Sequence, residues 1–177
     1  MTDSDIQILT PISGSPLTLC LIKRSDSHTD TPACVRRIIE TICPGCHMDH
    51  DSHGAPYLTD SACHISISHC TSHIAVTFHP TLRHGVDVEL PRQQLLRIRP
   101  RFLSSAELRH YTSLNDLLRA WTMKEAVYKA AAWPGLHLRH IILPLPGASC
   151  ATLPDGRRFR ITSFIHDGAC ITIAIPV

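Results

Sequence analysis

Two short segments constrain this chain more than any other part of it. Gly85-Val86-Asp87-Val88-Glu89 alternates strictly and reads as a strand. Successive strand side chains point to opposite faces, so Val86 and Val88 share one face and Asp87 and Glu89 the other, with the two carboxylates roughly 6–7 Å apart along the strand. Trp121-Thr122-Met123-Lys124-Glu125-Ala126-Val127-Tyr128-Lys129 reads as a helix, on which Trp121, Glu125, Tyr128 and Ala132 fall on one stripe. A carboxylate in that largely apolar row is costly to bury unless a cation meets it. Three carboxylates from a strand and a helix, with Lys124 and Lys129 beside them, suit a hard divalent cation that holds a polyphosphate.

The rest of the chain gives a coarse order of elements. A strand is expected over 15–23 and a helix over 32–43, where Pro32 can open the first turn and Val35, Ile38, Ile39 and Ile42 make the apolar stripe. Pro44-Gly45 ends that helix, and 44–61 reads as a polar loop. Strands follow at 63–68, 73–79 and 84–89, then an arm with a short helical piece over 91–103. Ser104 and Glu107 carry the S-x-x-E signature of a capping box and mark the next helix start. The long helix is expected from about Asp116 to Ala132, stopping before Pro134-Gly135, with strands at 138–142, 157–165 and 169–175. Residues 63–78 and 158–175 echo each other, both reading as hairpins after a helix-bearing segment.

The strand and helix motifs together resemble the 4'-phosphopantetheinyl transferases, whose patterns G-[VI]-D-[VI]-E and W-x-x-K-E-[AS]-x-x-K are both complete here. Three further segments are similar to that family's motifs, in the family's order: Gly54-Ala55-Pro56-Tyr57-Leu58, Ile65-Ser66-Ile67-Ser68-His69-Cys70, and Arg101-Phe102-Leu103-Ser104-Ser105-Ala106-Glu107. The resemblance covers residues 54 to 129. It implies an α+β fold. A carboxylate strand that begins only at residue 85, with a full lobe ahead of it, favours the surfactin-synthetase-activating type, in which two similar lobes in one chain are related by a pseudo-twofold. The expected division is 1–82 and 83–177, the second lobe bearing the metal carboxylates, and the expected state is a monomer.

The resemblance also implies the chemistry: Mg²⁺-dependent transfer of the phosphopantetheine arm of coenzyme A to a serine of an acyl or peptidyl carrier protein, releasing adenosine 3',5'-bisphosphate. By that analogy Asp87, Glu89 and Glu125 hold the metal, Glu125 doubles as general base, and Lys124 and Lys129 meet the pyrophosphate. Ser68 and His69 are expected at the 3'-phosphate, and Gly54 and Pro56 on the adenine side. Glu107 is assigned to structure first, as the partner of Ser104.

The sequence departs from the family pattern in places. Ala55 stands where the family has lysine, Cys70 where it has a small hydroxyl residue, and the N-terminal part offers only Lys23, Arg24, Arg36 and Arg37 for the 3'-phosphate. These departures motivate an alternative, a catalytically weak relative that binds coenzyme A or carrier protein. Cys43-Pro44-Gly45-Cys46-His47 with His50 and His53 has zinc-ligand types and motivates another, a zinc-dependent interaction module, although all these candidates lie within eleven residues.

A net charge of +2 disfavours general nucleic-acid binding. Charge is local instead: Arg83, Arg92, Arg97, Arg99, Arg101 and Arg109 form a basic stretch suited to an acidic carrier protein. No apolar run spans a bilayer, and Met1–Asp5 lacks a signal-peptide pattern, so a cytosolic protein is expected, with most of its eight cysteines reduced. Cys63, Cys70 and Cys170 read as small apolar fillers.

Overall fold

The computed structural model describes residues 6–24, 30–144 and 148–177. The leader reading of Met1–Asp5 lies outside them. The chain is mixed α+β. In order come β1 (Ile6–Leu9), β2 (Thr18–Lys23), α1 (Thr31–Ile42), β3 (Met48–His50), β4 (Pro56–Leu58), β5 (His64–His69), β6 (His73–His79) and β7 (Gly85–Glu89). Then follow α2 (Gln94–Phe102), α3 (Leu114–Ala131), β8 (Cys150–Thr152), β9 (Arg158–His166) and β10 (Ala169–Pro176).

Two four-stranded antiparallel sheets carry the fold, ordered β1-β2-β6-β5 and β7-β10-β9-β8. The order β2-β6-β5 in the first repeats as β7-β10-β9 in the second, each with a helix between its first strand and its hairpin. The hairpins β5–β6 and β9–β10 are the two segments that echo each other in the sequence. α1 covers one face of the first sheet: Asp30 caps it by accepting from the Ala33 amide, Pro32 lies in its first turn, and Val35, Ile38 and Ile39 are buried against Ile22, Ile74 and Val76. α3 covers the second sheet.

The sheets meet in a shared core in which Leu19, Leu21 and Ala75 of the first pack with Val86, Val88, Ile171 and Ile173 of the second. Their edges are stitched by serines. Ser66 Oγ accepts from the Val86 amide at 3.0 Å and Ser68 Oγ from the Val88 amide at 3.3 Å, so the open edge of β7 is satisfied by side chains of β5.

Several expectations change. Residues 44–61 are not all loop, since β3 and β4 pair as a small ribbon. The segment 138–142 is a single 3-10 turn over Leu138–His140 followed by one bridge at Ile142. The long helix starts earlier, at Leu114, capped by a reciprocal Ser113–Asp116 box. The Ser104–Glu107 box also forms in both directions, but opens only a one-turn 3-10 segment, Glu107–Arg109.

Candidate active site

Gly85 sets the geometry. A Cβ there would sit 2.0 Å from the carbonyl oxygen of Ala126 and 2.8 Å from the amide of Ala130, so only glycine lets α3 lie this close to β7. Strand alternation puts Asp87 and Glu89 on the same face as Gly85, while Val86 and Val88 enter the inter-sheet core. Glu125 and Lys129, each one residue before a contact position on α3 and one turn apart, thereby come to the carboxylate strand.

Lys129 bridges the two elements. Its Nζ donates to the Val86 carbonyl and to Asp87 Oδ1, both at 2.9 Å. Ser68 Oγ donates to the same Asp87 oxygen at 2.8 Å. Glu89 is drawn sideways: Arg92 reaches its Oε2 at 3.1 Å and the Leu90 amide donates to its Oε1. Arg92 also lies over the Trp121 ring, 5.3 Å from its centroid, and Trp121 meets Phe102 edge-on. The sequence reading did not single out Arg92 as the partner of Glu89; its position three residues after Glu89 was the available signal.

Glu125 is half-buried, and its carboxylate makes no hydrogen bond among the described residues. Burial first, then the Asp87 charge, push its carboxyl above the ordinary range, with Lys129 and Arg92 opposing. Two oxygen-donor groups that repel each other in a partly desolvated setting suit a hard cation, and Asp87, Glu89 and Glu125 have the chemistry for one. They are not drawn together as a ready cage, and Arg92 holds the Glu89 carboxylate.

Lys124 corrects an expectation. It was expected at the pyrophosphate, but its Nζ is fully buried, donating to Glu107 Oε2 at 2.8 Å and to the Ile141 carbonyl. Glu107 in turn accepts from the amides of Ser104 and Leu143. Burial lowers the Lys124 ammonium below its usual range, although Glu107 pushes the other way. The stripe shifts accordingly. α3 buries Leu117, Leu118, Ala120, Met123, Ala126, Val127 and Ala130, so Trp121 and Glu125 run along the margin of the buried face, where Tyr128 and Ala132 are exposed.

The other predicted residues are more dispersed. Ser68 is committed to Asp87 and Val88, and its exposed neighbour His69 ends β5. Gly54 takes a left-handed φ of +81° in the β3–β4 turn, where Asp51 accepts from the amides of His53 and Ala55 ahead of Pro56. Arg36 is exposed, whereas Arg37 has Nε and Nη2 buried without a hydrogen-bond partner among the described residues. Lys23 pairs with Asp167, and Arg24 donates to the Cys70 carbonyl beside His69. Cys43, Cys46 and Cys63 pack, partly buried, against the α1 core, and His47 is exposed beside Cys46. A concavity of about 350 Å³ beside Tyr111, Arg119 and Met123 includes none of the carboxylates of this site.

The described residues thus set a strand with two carboxylates, Asp87 and Glu89, against a helix that brings Lys129 and Glu125 to it. A family model described as the 4'-phosphopantetheinyl transferase superfamily matches residues 83–173, just over half of the chain. The chain belongs to that superfamily. A comparison with curated proteins found no match. The family domain points to transfer of phosphopantetheine to carrier proteins. No helix among the described residues is long and apolar enough to cross a membrane.

Proposed function

We propose that this protein moves the 4'-phosphopantetheine arm of coenzyme A onto a serine hydroxyl of an apo carrier protein, with Mg²⁺, releasing adenosine 3',5'-bisphosphate. The observation that carries this reading is the convergence of Lys129, Asp87 and Glu125 where α3 crosses β7 at Gly85. Asp87, Glu89 and Glu125 would hold the cation, which would neutralise the pyrophosphate. Lys129 exchanges Asp87 for a phosphate oxygen and stabilises the charge that builds on the leaving group. Glu125 would take the proton of the serine hydroxyl as its oxygen attacks phosphorus. His69, with Arg36 or Arg37, serves the 3'-phosphate, and the Gly54–Pro56 turn serves the adenine.

The repeated strand order supports a two-lobe arrangement with a pseudo-twofold and a division near residue 82, and such a pseudo-dimer would act as a monomer. Exposed Arg97, Arg101 and Arg109 on and after α2 support docking of an acidic carrier there. The test is a panel of apo carrier proteins with coenzyme A and Mg²⁺, read as a mass increase. Transfer that vanishes in Asp87→Ala and Glu125→Ala, and on chelation, is expected. Retention of most activity by either variant at saturating Mg²⁺ would remove the metal assignment.

A further inference from the structure

Away from this site, the start of β6 meets the β9–β10 turn. There His73, His166 and Asp167 each offer a ligand atom, and the three atoms lie within 4.8 Å of one another. His73 is 1% exposed. Its Nδ1 is 2.8 Å from Ser72 Oγ, whereas its Nε2 is buried and has no hydrogen-bond partner among the described residues. A buried polar atom without a partner is uncommon, because it forfeits its hydration for nothing. The His166 ring meets His73 edge-on at 5.9 Å between centroids. Asp167, in a left-handed conformation at φ +46°, turns the hairpin beside it.

We infer that His73 Nε2, His166 and Asp167 form a site for a borderline divalent transition metal, zinc above all. Two imidazoles and one carboxylate are the ligand types of a three-protein-ligand zinc site with an open fourth position. Ligand atoms around tetrahedral zinc stand about 3.3 Å apart, given metal–ligand lengths of about 2.0–2.1 Å, so a small closure of two partly exposed side chains completes the set. Ser72 is the outer partner that ligating histidines use: by holding Nδ1 it leaves Nε2 for the metal. The ligands come from different sheets, β6 from the first and the β9–β10 turn from the second. The metal therefore acts as a clasp between them. Lys23 competes, since its ammonium sits 2.8 Å from Asp167 Oδ2. This inference is independent of the transfer reaction, for it uses none of the residues assigned to it.

The test is zinc titration of metal-free, reduced protein in excess Mg²⁺, with stoichiometry by calorimetry and melting followed in parallel. One equivalent of zinc should bind and raise the melting temperature. Affinity should fall at least tenfold in His166→Ala and in Asp167→Asn, which alter partly exposed residues and leave the core intact, and should rise in Lys23→Ala. Cobalt substitution should give a spectrum without a thiolate charge-transfer band. Unchanged zinc affinity in both ligand variants would overturn the site. So would the absence of binding at micromolar zinc, or a thiolate band lost in Cys43→Ser/Cys46→Ser, which would assign the metal to the cysteines.

Discussion

Lys124 and Lys129 stand on the same helix, and each meets a carboxylate at nearly the same distance, 2.8 Å to Glu107 and 2.9 Å to Asp87. Their surroundings differ. The first pair is 0% and 6% exposed, and each partner also bonds a backbone group of another segment, Ile141 and Leu143. The second is 29% and 10% exposed, and Asp87 shares its oxygen with a serine. A buried pair cannot exchange partners without stranding a charge, whereas one at the margin can be replaced by a phosphate and a cation. Position relative to solvent, more than ion-pair length, separates a lysine that holds the fold from one available to a substrate.

The largest effect that would sharpen this contrast is at Lys124. Lys124→Met should cost about 3–5 kcal/mol, because Glu107 is left buried without its cation. Denaturant unfolding of the variant, and of Lys124→Met/Glu107→Gln, checks it. The double variant should recover part of the loss. A single variant as stable as the parent would mean that the pair is not the structural one.

Gly85→Ala should come next. The new Cβ meets backbone rather than a flexible side chain, so α3 must move, at a cost of about 1–3 kcal/mol. Because that movement separates Glu125 and Lys129 from Asp87, transfer should fall further than stability alone predicts. Wild-type turnover in a folded Gly85→Ala protein would break the link between this contact and the site.

Lys129→Ala should change stability by about 1 kcal/mol or less, yet lower transfer on the order of a hundredfold or more, through the charge it supplies to the leaving phosphate. Weaker coenzyme A binding should accompany the loss, since in the proposed reaction the ammonium would face the phosphates both before and during transfer. Equal turnover in variant and parent would place Lys129 with Lys124, among the structural lysines.

The contrast between the lysines also marks how far the sequence was legible. Alternation named the face of β7, and helical spacing brought Glu125 and Lys129 to one side of α3. Lys124 was misjudged because α3 is apolar around much of its circumference, and spacing alone does not say which stripe faces outward. The pairing with Glu107 crosses 17 positions and depends on the fold. The strands β1, β3, β4 and β8, three or four residues each, are too short to display a period. The His73–His166–Asp167 cluster joins ends of two hairpins and leaves no local trace. Ser113-x-x-Asp116 escaped notice as the helix start because Ser104-x-x-Glu107 has the same form and came first.

The smallest effect concerns pH, and here two groups near β7, one buried and one half-buried, oppose each other. His84 precedes Gly85 and hydrogen-bonds Thr77 and the Leu82 carbonyl, and burial lowers its imidazole from 6.5 to about 4. The unfolded chain then binds more protons than the folded one between those values, so stability present above pH 6.5 is lost as pH falls through about 4. Glu125 has the opposite sign. Its folded carboxyl is raised from 4.5, so the folded state binds more protons there, and its penalty is relieved as pH falls toward 4.5. Glu125→Gln removes the relief and the penalty together. The variant should be more stable than the parent at pH 7 and should lose stability more steeply on acidification, while being inactive in transfer. Saturating Mg²⁺ should narrow the difference at pH 7, because the cation removes the repulsion from Asp87 that the substitution removes by other means. Melting curves between pH 4 and 8, with and without Mg²⁺, measure this. A parent more stable than Glu125→Gln at pH 7 without Mg²⁺ would mean that the carboxylate is satisfied within the protein, and would make Glu125, like Glu107, a group of the fold.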